Sequence, residues 1–503
     1  MAHGSKHFDV LAPKSTFYHG PFGRLFPDLD VWHAPGVSDS DAALLDIANT
    51  QMTELPGELP ADIAGDPAKV DQLETDFGSN IPAGYTYFGQ FVDHDITFDP
   101  ASSLMRKNDP NGLINFRTPR LDLDNVYGAG PDDQPYLYDP DDKAKLAIGA
   151  VEGRPELPDL PRFGKRALIG DMRNDENAMV SQLQLAFLLA HNALVDRARA
   201  AHPDAETGEI FEMARKSLRW LYQYIVWNDF IPRIAVDAVY TCALKLSETC
   251  DKRKVWECGL DDVYRWKNQP FMPVEFSVAA YRFGHSMVRN GYQTNNPERG
   301  FGNLAPIFDN TPQAPGQEPD DLRGFRPITP DNCIQWDWFL PMQSSAPGIF
   351  PQMARKIDTK LANALAFLHE GVAGDPANVL AFRNLKRGVA FDLPSGTAVA
   401  RKFCLNPLKL RPEEPDALWY YVLREAQGNG GNTLGRVGSV IVCAVFAGLL
   451  KGDPRSWISI EPCWTPNDDP LLKDGTDNID DPSWTLASII RLAGLKADGI
   501  GFV

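Results

Sequence analysis

The segment GQFVDHDITFDP, residues 89–100, constrains this chain more than any other. Gln90 and His94 stand four residues apart, and Asp93 and Asp95 flank the histidine. On a helix an i,i+4 pair shares one face, so an amide and an imidazole would project together into one cavity. Consecutive helical residues point about 100° apart, which sends Asp93, His94 and Asp95 toward three different partners. The plainer reading of the same residues is a polar helix end with solvated carboxylates and a capping histidine. Taken alone, the segment leaves both readings open.

Three further segments fit one scheme in the same order. In 168–199, Arg173 and Glu176 are i,i+3 at the start of a long helical pattern. In AAYRFGHSMV (279–288), Arg282 and His285 repeat that spacing within an apolar-flanked helix. In 382–396, Asn384 and Arg387 repeat it again. With these four segments the chain resembles the animal-type haem peroxidase superfamily, the peroxidase–cyclooxygenase group, from about residue 80 to about residue 460. The resemblance implies a mainly α fold, a large single domain whose long loops enclose a buried haem b. The boundaries expected are an irregular, Pro- and Gly-punctuated arm over 1–80, packed on the domain, and the haem peroxidase domain over 81–503.

Composition agrees without suggesting this. A net charge of −18 argues against nucleic acid or an anionic membrane as partner. The first twenty residues hold no continuous apolar stretch, so no secretory signal is recognisable. The run VGSVIVCAVFAGLL (437–450) falls short of the roughly 20 residues a membrane span needs, and reads as a buried core helix. No transmembrane segment is expected. The seven cysteines are scattered with no CxxC pair, as a reducing cytoplasm tolerates. A cytoplasmic protein, or one exported without a recognisable signal peptide, is the expectation. Helical periodicity begins near Tyr85, and two strong helices cover Met179–Ala200 and Phe211–Phe230.

The resemblance assigns roles that chemistry can justify. Splitting hydrogen peroxide requires moving a proton from one oxygen to the other, which a neutral imidazole can do as base and then acid. His94 matches the family's distal histidine. Negative charge grows on the departing oxygen, and a guanidinium stabilises it in a low-dielectric pocket. Arg173 matches the distal arginine, and Gln90 the distal glutamine that holds water or halide beside the base. On the proximal side His285 fills the iron-ligand slot, and Asn384 matches the residue whose side-chain oxygen accepts a hydrogen bond from that imidazole. Arg282 and Arg387 resemble the family's basic residues near the haem propionates or the proximal network. Asp93 and Glu176 stand where the family forms ester bonds to haem methyl groups. In one branch a methionine follows that glutamate and adds a sulfonium bond; Asn177 stands there, so that link is not expected.

A calcium site is also implied. In TPRLDLDNVYG (118–128), Thr118, Arg120, Asp122 and Asp124 alternate and supply hard oxygen ligands, Arg120 through its backbone carbonyl alone. Asp95 would close the site. An acidic surface loop is the plainer alternative. His191 is expected to be structural, His3, His7, His19 and His33 to lie on the surface, and GNGGN (428–432) to be a loop rather than a nucleotide fingerprint.

Three functions follow in order. The first is a haem peroxidase that reduces hydrogen peroxide and oxidises a small-molecule electron donor, organic, halide or pseudohalide. The second is a fatty-acid dioxygenase of the cyclooxygenase branch, which needs a radical-forming tyrosine three residues before the proximal histidine; Arg282 occupies that position and Tyr281 lies one residue out of register. The third is a catalytically idle scaffold that keeps the fold.

Overall fold

The helices form where apolar residues recur at a 3.6-residue period. The computed structural model describes residues 22–34, 40–53, 78–98, 117–249, 252–266, 269–309, 317–342, 350–366, 368, 376–473 and 484–503. Within these, α1 is Ser40–Gln51, α2 Gly84–Ile96, α3 Ala178–Ala201 and α4 Thr207–Ile225. Then come α5, the single turn Gly284–Met287, α6 Leu380–Ala390, α7 Leu418–Gly428 and α8 Arg436–Gly452. Strands are short and paired in twos, which makes the protein mainly α, as the sequence implied.

α2 carries the 89–96 turn, and its placement is overdetermined. Its N-terminus enters where a Cβ on Gly84 would lie 2.7 Å from the Phe339 carbonyl oxygen, so only glycine fits; the Gly84 amide donates to that oxygen at 2.9 Å. Phe91 stacks on Phe187 of α3 with ring centroids 4.4 Å apart. Phe88 meets Tyr222 of α4 edge-on at 6.2 Å, and Phe230 beyond it at 5.5 Å. Each aromatic pair adds roughly 0.5–1.5 kcal/mol beyond its buried area, so the face opposite Gln90 and His94 is fixed in rotation.

α3 starts at an Asn177 cap, whose side chain accepts from the Val180 amide at 2.9 Å. It has the length and hydropathy of a membrane span, but 89% of its apolar window is buried inside the fold. α8, the 437–450 run, is likewise buried. The stretch expected as one helix to Phe230 is α4 followed by a π-helical turn, Val226–Phe230.

The described part of the N-terminal region packs on the rest of the fold and holds two regular elements. It contains α1, which packs on α6, and a strand Phe22–Gly23 that pairs in parallel with Met272–Pro273. The buried Glu275 carboxylate accepts from the Leu25 and Phe26 amides at 3.0 and 3.1 Å. Nothing local marks these contacts, because the partners lie some 250 to 340 residues away in the chain. His3, His7 and His19 lie outside the described residues; His33 is exposed.

Candidate functional site

One cavity of about 420 Å3 brings together Gln90, Asp93 and His94 of α2, Glu176, and Arg282 and His285 from the proximal segment. Six of the residues singled out from sequence therefore share one enclosed space.

The distal half rests on a chain of buried amides. His94 Nδ1 lies 2.7 Å from Asn174 Oδ1. Asn174 Nδ2 donates to Gln184 Oε1 at 2.7 Å, and Gln184 Nε2 donates to the Asn125 carbonyl at 3.2 Å. Asn125 Nδ2 returns to the Phe91 carbonyl of α2 at 3.0 Å. A backbone carbonyl only accepts, so each amide in this chain has one permitted orientation and Asn174 must present oxygen to the ring. His94 therefore carries its proton on Nδ1 and keeps the Nε2 lone pair. Burial, then the charge of Arg173, lowers its pKa to about 3, so it is neutral at ordinary pH. Asn174, Gln184 and Asn125 were not legible in sequence, although two glutamines two residues apart in the apolar run VSQLQLAF were the available signal.

His94 Nε2 stands 3.8 Å from Glu176 Oε1. Gln90 Nε2 donates to that same oxygen, and Asn177 Nδ2 to Gln90 Oε1 at 3.1 Å. Burial raises Glu176 to about 7; its side chain is 38% accessible, but into the cavity. Asp93, raised by burial, accepts from Thr97 Oγ1 at 3.1 Å.

Arg173 is placed differently from its family role. It lies on a 3-10 turn, Met172–Asp175, not on α3, and is not part of the cavity lining. The cause is Asp171, which caps the turn by accepting from the Arg173 amide at 2.9 Å and takes the guanidinium Nη2 at 2.8 Å. The same nitrogen donates to the carbonyls of His94 and Thr97 at 3.1 and 2.6 Å. Burial opposes ionisation of Asp171, but Arg173 and Arg117 hold its pKa well below the usual range. Arg173 thus clamps the end of α2.

The proximal residues lie on broken rather than regular helix. A π turn, Glu275–Ala279, and a 3-10 turn, Ala280–Phe283, lead into α5. The break sets Tyr281 against Phe276 at 4.7 Å and Phe446 of α8 at 5.4 Å, and turns Arg282 and His285 to the cavity. Asn384 on α6 reaches both: its Oδ1 accepts from Arg282 Nη1 at 2.8 Å, and its Nδ2 lies 2.9 Å from His285 Nδ1. The expected oxygen-to-imidazole bond is thereby corrected. A guanidinium can only donate, so the amide oxygen faces Arg282 and the NH2 group faces the ring. Burial, then Arg282, lowers His285 to about 3; burial, then Arg387, lowers Arg282 to about 10. Arg387 itself stacks at 5.1 Å over Phe391 and is not in the lining, whereas Arg383, one turn earlier, is.

The expected calcium residues converge behind α2. Asp95 is fully buried, and neither carboxylate oxygen has a partner in hydrogen-bonding geometry. Thr118 Oγ1 donates to Asp122 Oδ2 at 2.7 Å and approaches Asp124 Oδ2 at 3.4 Å; Asp122 Oδ1 is also unpartnered. The Arg120 amide donates to the Thr118 carbonyl at 2.8 Å. Burial, then Asp124, raises Asp95 to about 7, and the same causes raise Asp122 well above the usual range. Buried carboxylate oxygens without a well-formed hydrogen bond fit a hard cation, although among the described residues no group of three His, Cys, Asp or Glu side chains stands at ligand distance.

His191 is structural, buried between the Tyr127 hydroxyl at 3.1 Å and the Ala144 carbonyl at 2.8 Å. GNGGN is a helix end and turn. Among the described residues six cysteines are free thiols.

This arrangement defines a class: a mainly helical protein with a cavity between two neutral histidines, each oriented by a buried asparagine. Residues 101–311 match the animal haem peroxidase family model. A peroxidase-like protein of Margaritifera margaritifera is 28% identical over 209 residues, 40% of this chain and 25% of its own length. The chain thus spans about a quarter of that relative. In fold it is similar to peroxidase A of Dictyostelium discoideum, with TM-score 0.61, 15% identity, and 90% of this chain and 91% of that one covered. A fatty acid alpha-dioxygenase of Oryza sativa gives TM-score 0.55 at 15% identity, over 94% and 80%.

Proposed function

We propose that the chain is a haem peroxidase that reduces hydrogen peroxide and oxidises small donors. The observation that carries this reading is the His94–Asn174 bond, because it leaves a neutral imidazole with a free Nε2 lone pair in the cavity that holds His285. A haem b would be held by His285 Nε2 in the cavity that Arg282 and Arg383 line, and would supply the redox centre that peroxide oxidises and the donor reduces.

His94 Nε2 accepts the proton of one peroxide oxygen and returns it to the departing oxygen, so the ring ends unchanged. Gln90 orders the space beside it, held by Asn177. Arg173 serves this step by fixing the His94 carbonyl; stabilising the departing oxygen directly would require its guanidinium to leave Asp171. Asp93 and Glu176 both face the cavity, as ester links to the cofactor's edge would need. Calcium at Asp95, Asp122, Asp124, Thr118 and the Arg120 carbonyl would neutralise the buried carboxylates and tie the loop to α2.

A second reading has one specific observation in its favour. Tyr281, one residue out of register for a dioxygenase, lines the cavity and donates to the Gly89 carbonyl at 3.2 Å. The haem-loaded protein should oxidise guaiacol with peroxide and take up no oxygen with palmitate. Oxygen uptake abolished by Tyr281→Phe, without guaiacol oxidation, would favour the dioxygenase. Neither activity would leave the scaffold.

A further inference from the structure

A second cavity, of about 450 Å3, lies between the end of α1, the segment around Lys360, the 411–414 turn and α7, and shares no residue with the cavity of His94 and His285. Lys360, Arg411 and Arg424 line it together with a single carboxylate, Glu414, which leaves an excess of two positive charges. In a chain of net charge −18 that local sign opposes the molecule's.

The like charges are held in place. The Glu414 side chain is 1% accessible, and its carboxylate accepts from Arg424 Nε at 2.8 Å, from Arg411 Nη2 at 3.2 Å and from the Arg411 amide at 2.8 Å. Burial opposes its ionisation, but these donors hold its pKa at about 2, so it supplies one negative charge to two guanidiniums. Glu413 also meets Arg411, at 3.2 Å, but both side chains are half exposed or more, where water screens the pair. Lys360 Nζ donates to the Thr53 carbonyl at 3.1 Å, a contact that fixes the ammonium without neutralising it. The wall that carries Lys360 is tied at both ends. The Leu361 amide donates to the Met52 carbonyl and the Ile357 amide to the Gly431 carbonyl, each at 2.8 Å. Gly431, in the GNGGN turn after α7, has φ of +75°, and a Cβ on it would lie 2.7 Å from Lys356 Cβ. Glycine there lets the two segments close around the cavity.

Donors outnumber acceptors in this space. Arg424 spends only Nε on Glu414, and neither Nη has a partner among the described residues. Thr359 Oγ1 approaches Gln427 Oε1 at 3.5 Å, which leaves the Gln427 NH2 group for an acceptor. Ammonium and guanidinium groups cannot accept, so what these donors lack is an anion with several oxygens.

We infer that this cavity binds a phosphate dianion, free or as the monoester of a small molecule. Two negative charges match the excess, a guanidinium fork takes two phosphate oxygens at once, and an ammonium takes a third. Donors arriving from separate walls suit a tetrahedral group better than a planar carboxylate. A phosphate there ties α1 to α7, both of which pack on α6, the helix of Asn384. The inference uses none of the residues on which the peroxidase reading rests.

The test uses the full chain with inorganic phosphate, glycerol 3-phosphate and malonate as probes at constant ionic strength. Calorimetric titration should show one saturable phosphate per chain, and phosphate should raise Tm. Binding should be stronger at about pH 8 than at about pH 5, on either side of a phosphate's second ionisation. Lys360→Gln and Arg424→Gln should each weaken binding roughly 10- to 100-fold, the size of a charge-assisted hydrogen bond, whereas Lys451→Gln, outside this cavity, should not. Lys360→Gln removes only a bond to a backbone carbonyl, so its phosphate-free Tm should match wild type, and it carries the test if Arg424→Gln fails to fold. Tighter binding of glycerol 3-phosphate than of inorganic phosphate would assign a monoester, and the reverse free phosphate. Absence of saturable phosphate binding in the wild type, or full binding in Lys360→Gln, would overturn the inference. So would malonate binding more tightly than either phosphate, or an equal loss in Lys451→Gln, which would make the attraction a general one of charge.

Discussion

His94 donates from Nδ1 to Asn174 Oδ1 across 2.7 Å, whereas His285 faces the NH2 end of Asn384 across 2.9 Å. The two cavity histidines are thus set in opposite tautomers, one by an Asn125 carbonyl that can only accept and the other by an Arg282 guanidinium that can only donate.

For the distal ring, Asn174→Leu should release the tautomer. Resolved 15N signals of the His94 imidazole should change from protonated Nδ1 to a mixture, and the rate with peroxide should fall about 100-fold or more, within the range general acid–base catalysis supplies. Haem content should stay unchanged. A single Nδ1-protonated signal and an unaltered rate would show that Asn174 does not control the ring.

For the proximal ring, the cofactor-free protein should show His285 protonated at Nε2. Iron binding at Nε2 needs the other tautomer, so Asn384 must turn and Arg282 must let go of its oxygen. Arg282→Leu should shift the free protein toward Nδ1 protonation, read by the same 15N measurement. A wild-type ring already protonated at Nδ1 would contradict the assigned amide orientation.

Glu176 gives a pH signature. Its folded pKa, raised to about 7, exceeds its unfolded value near 4.3, so the native state binds more protons between the two. Stability of the cofactor-free protein should therefore fall as pH rises from about 4 to about 7. Urea unfolding across that window should show Glu176→Gln with a flatter profile than wild type, and parallel profiles would mean Glu176 does not titrate there.

Calcium should stabilise by binding the folded state alone. Chelation should lower Tm and peroxide reactivity together, because Asp95 adjoins His94, and Asp95→Asn should abolish the response to added calcium. Equal melting of metal-free and calcium-loaded protein would remove the ion from the account.

Arg173 separates two roles by one substitution. Held against the carbonyls of His94 and Thr97, it should cost stability when replaced by Ala, with lowered Tm in the cofactor-free protein. A large loss of peroxide reactivity with unchanged Tm would instead place its guanidinium in the cavity during turnover.

The mainly helical fold was legible through the resemblance, and part of the candidate site through local spacing. Gln90 and His94 sit within one helix, and their i,i+4 spacing put them on one face of it. Arg282 and His285 also came together, though on a π and 3-10 break that no periodicity marks. Spacing alone did not show which contact each side chain makes: the neighbouring Asp171 holds Arg173 away from the cavity, Arg282 sets the Asn384 amide from 102 residues away, and Arg387 lies over Phe391. It also missed α1 and the Phe22–Gly23 pairing, whose partners lie on α6 and beside Glu275, because short segments gain their stability from tertiary contacts rather than from propensity. Asn174 was hidden by standing beside the more conspicuous Arg173.

The central claim is a haem held at His285 and served by His94. Titration of cofactor-free wild type, His285→Ala and His94→Ala with haem, followed by peroxide in a stopped-flow spectrometer, tests it most directly. The account predicts one haem per chain and a peroxide-dependent Soret shift in wild type. His285→Ala should lose the histidine-ligated spectrum, and His94→Ala should keep that spectrum while reacting roughly 100- to 10,000-fold more slowly. A histidine-ligated Soret band that survives in His285→Ala, or a His94→Ala variant that reacts as fast as wild type, would contradict it.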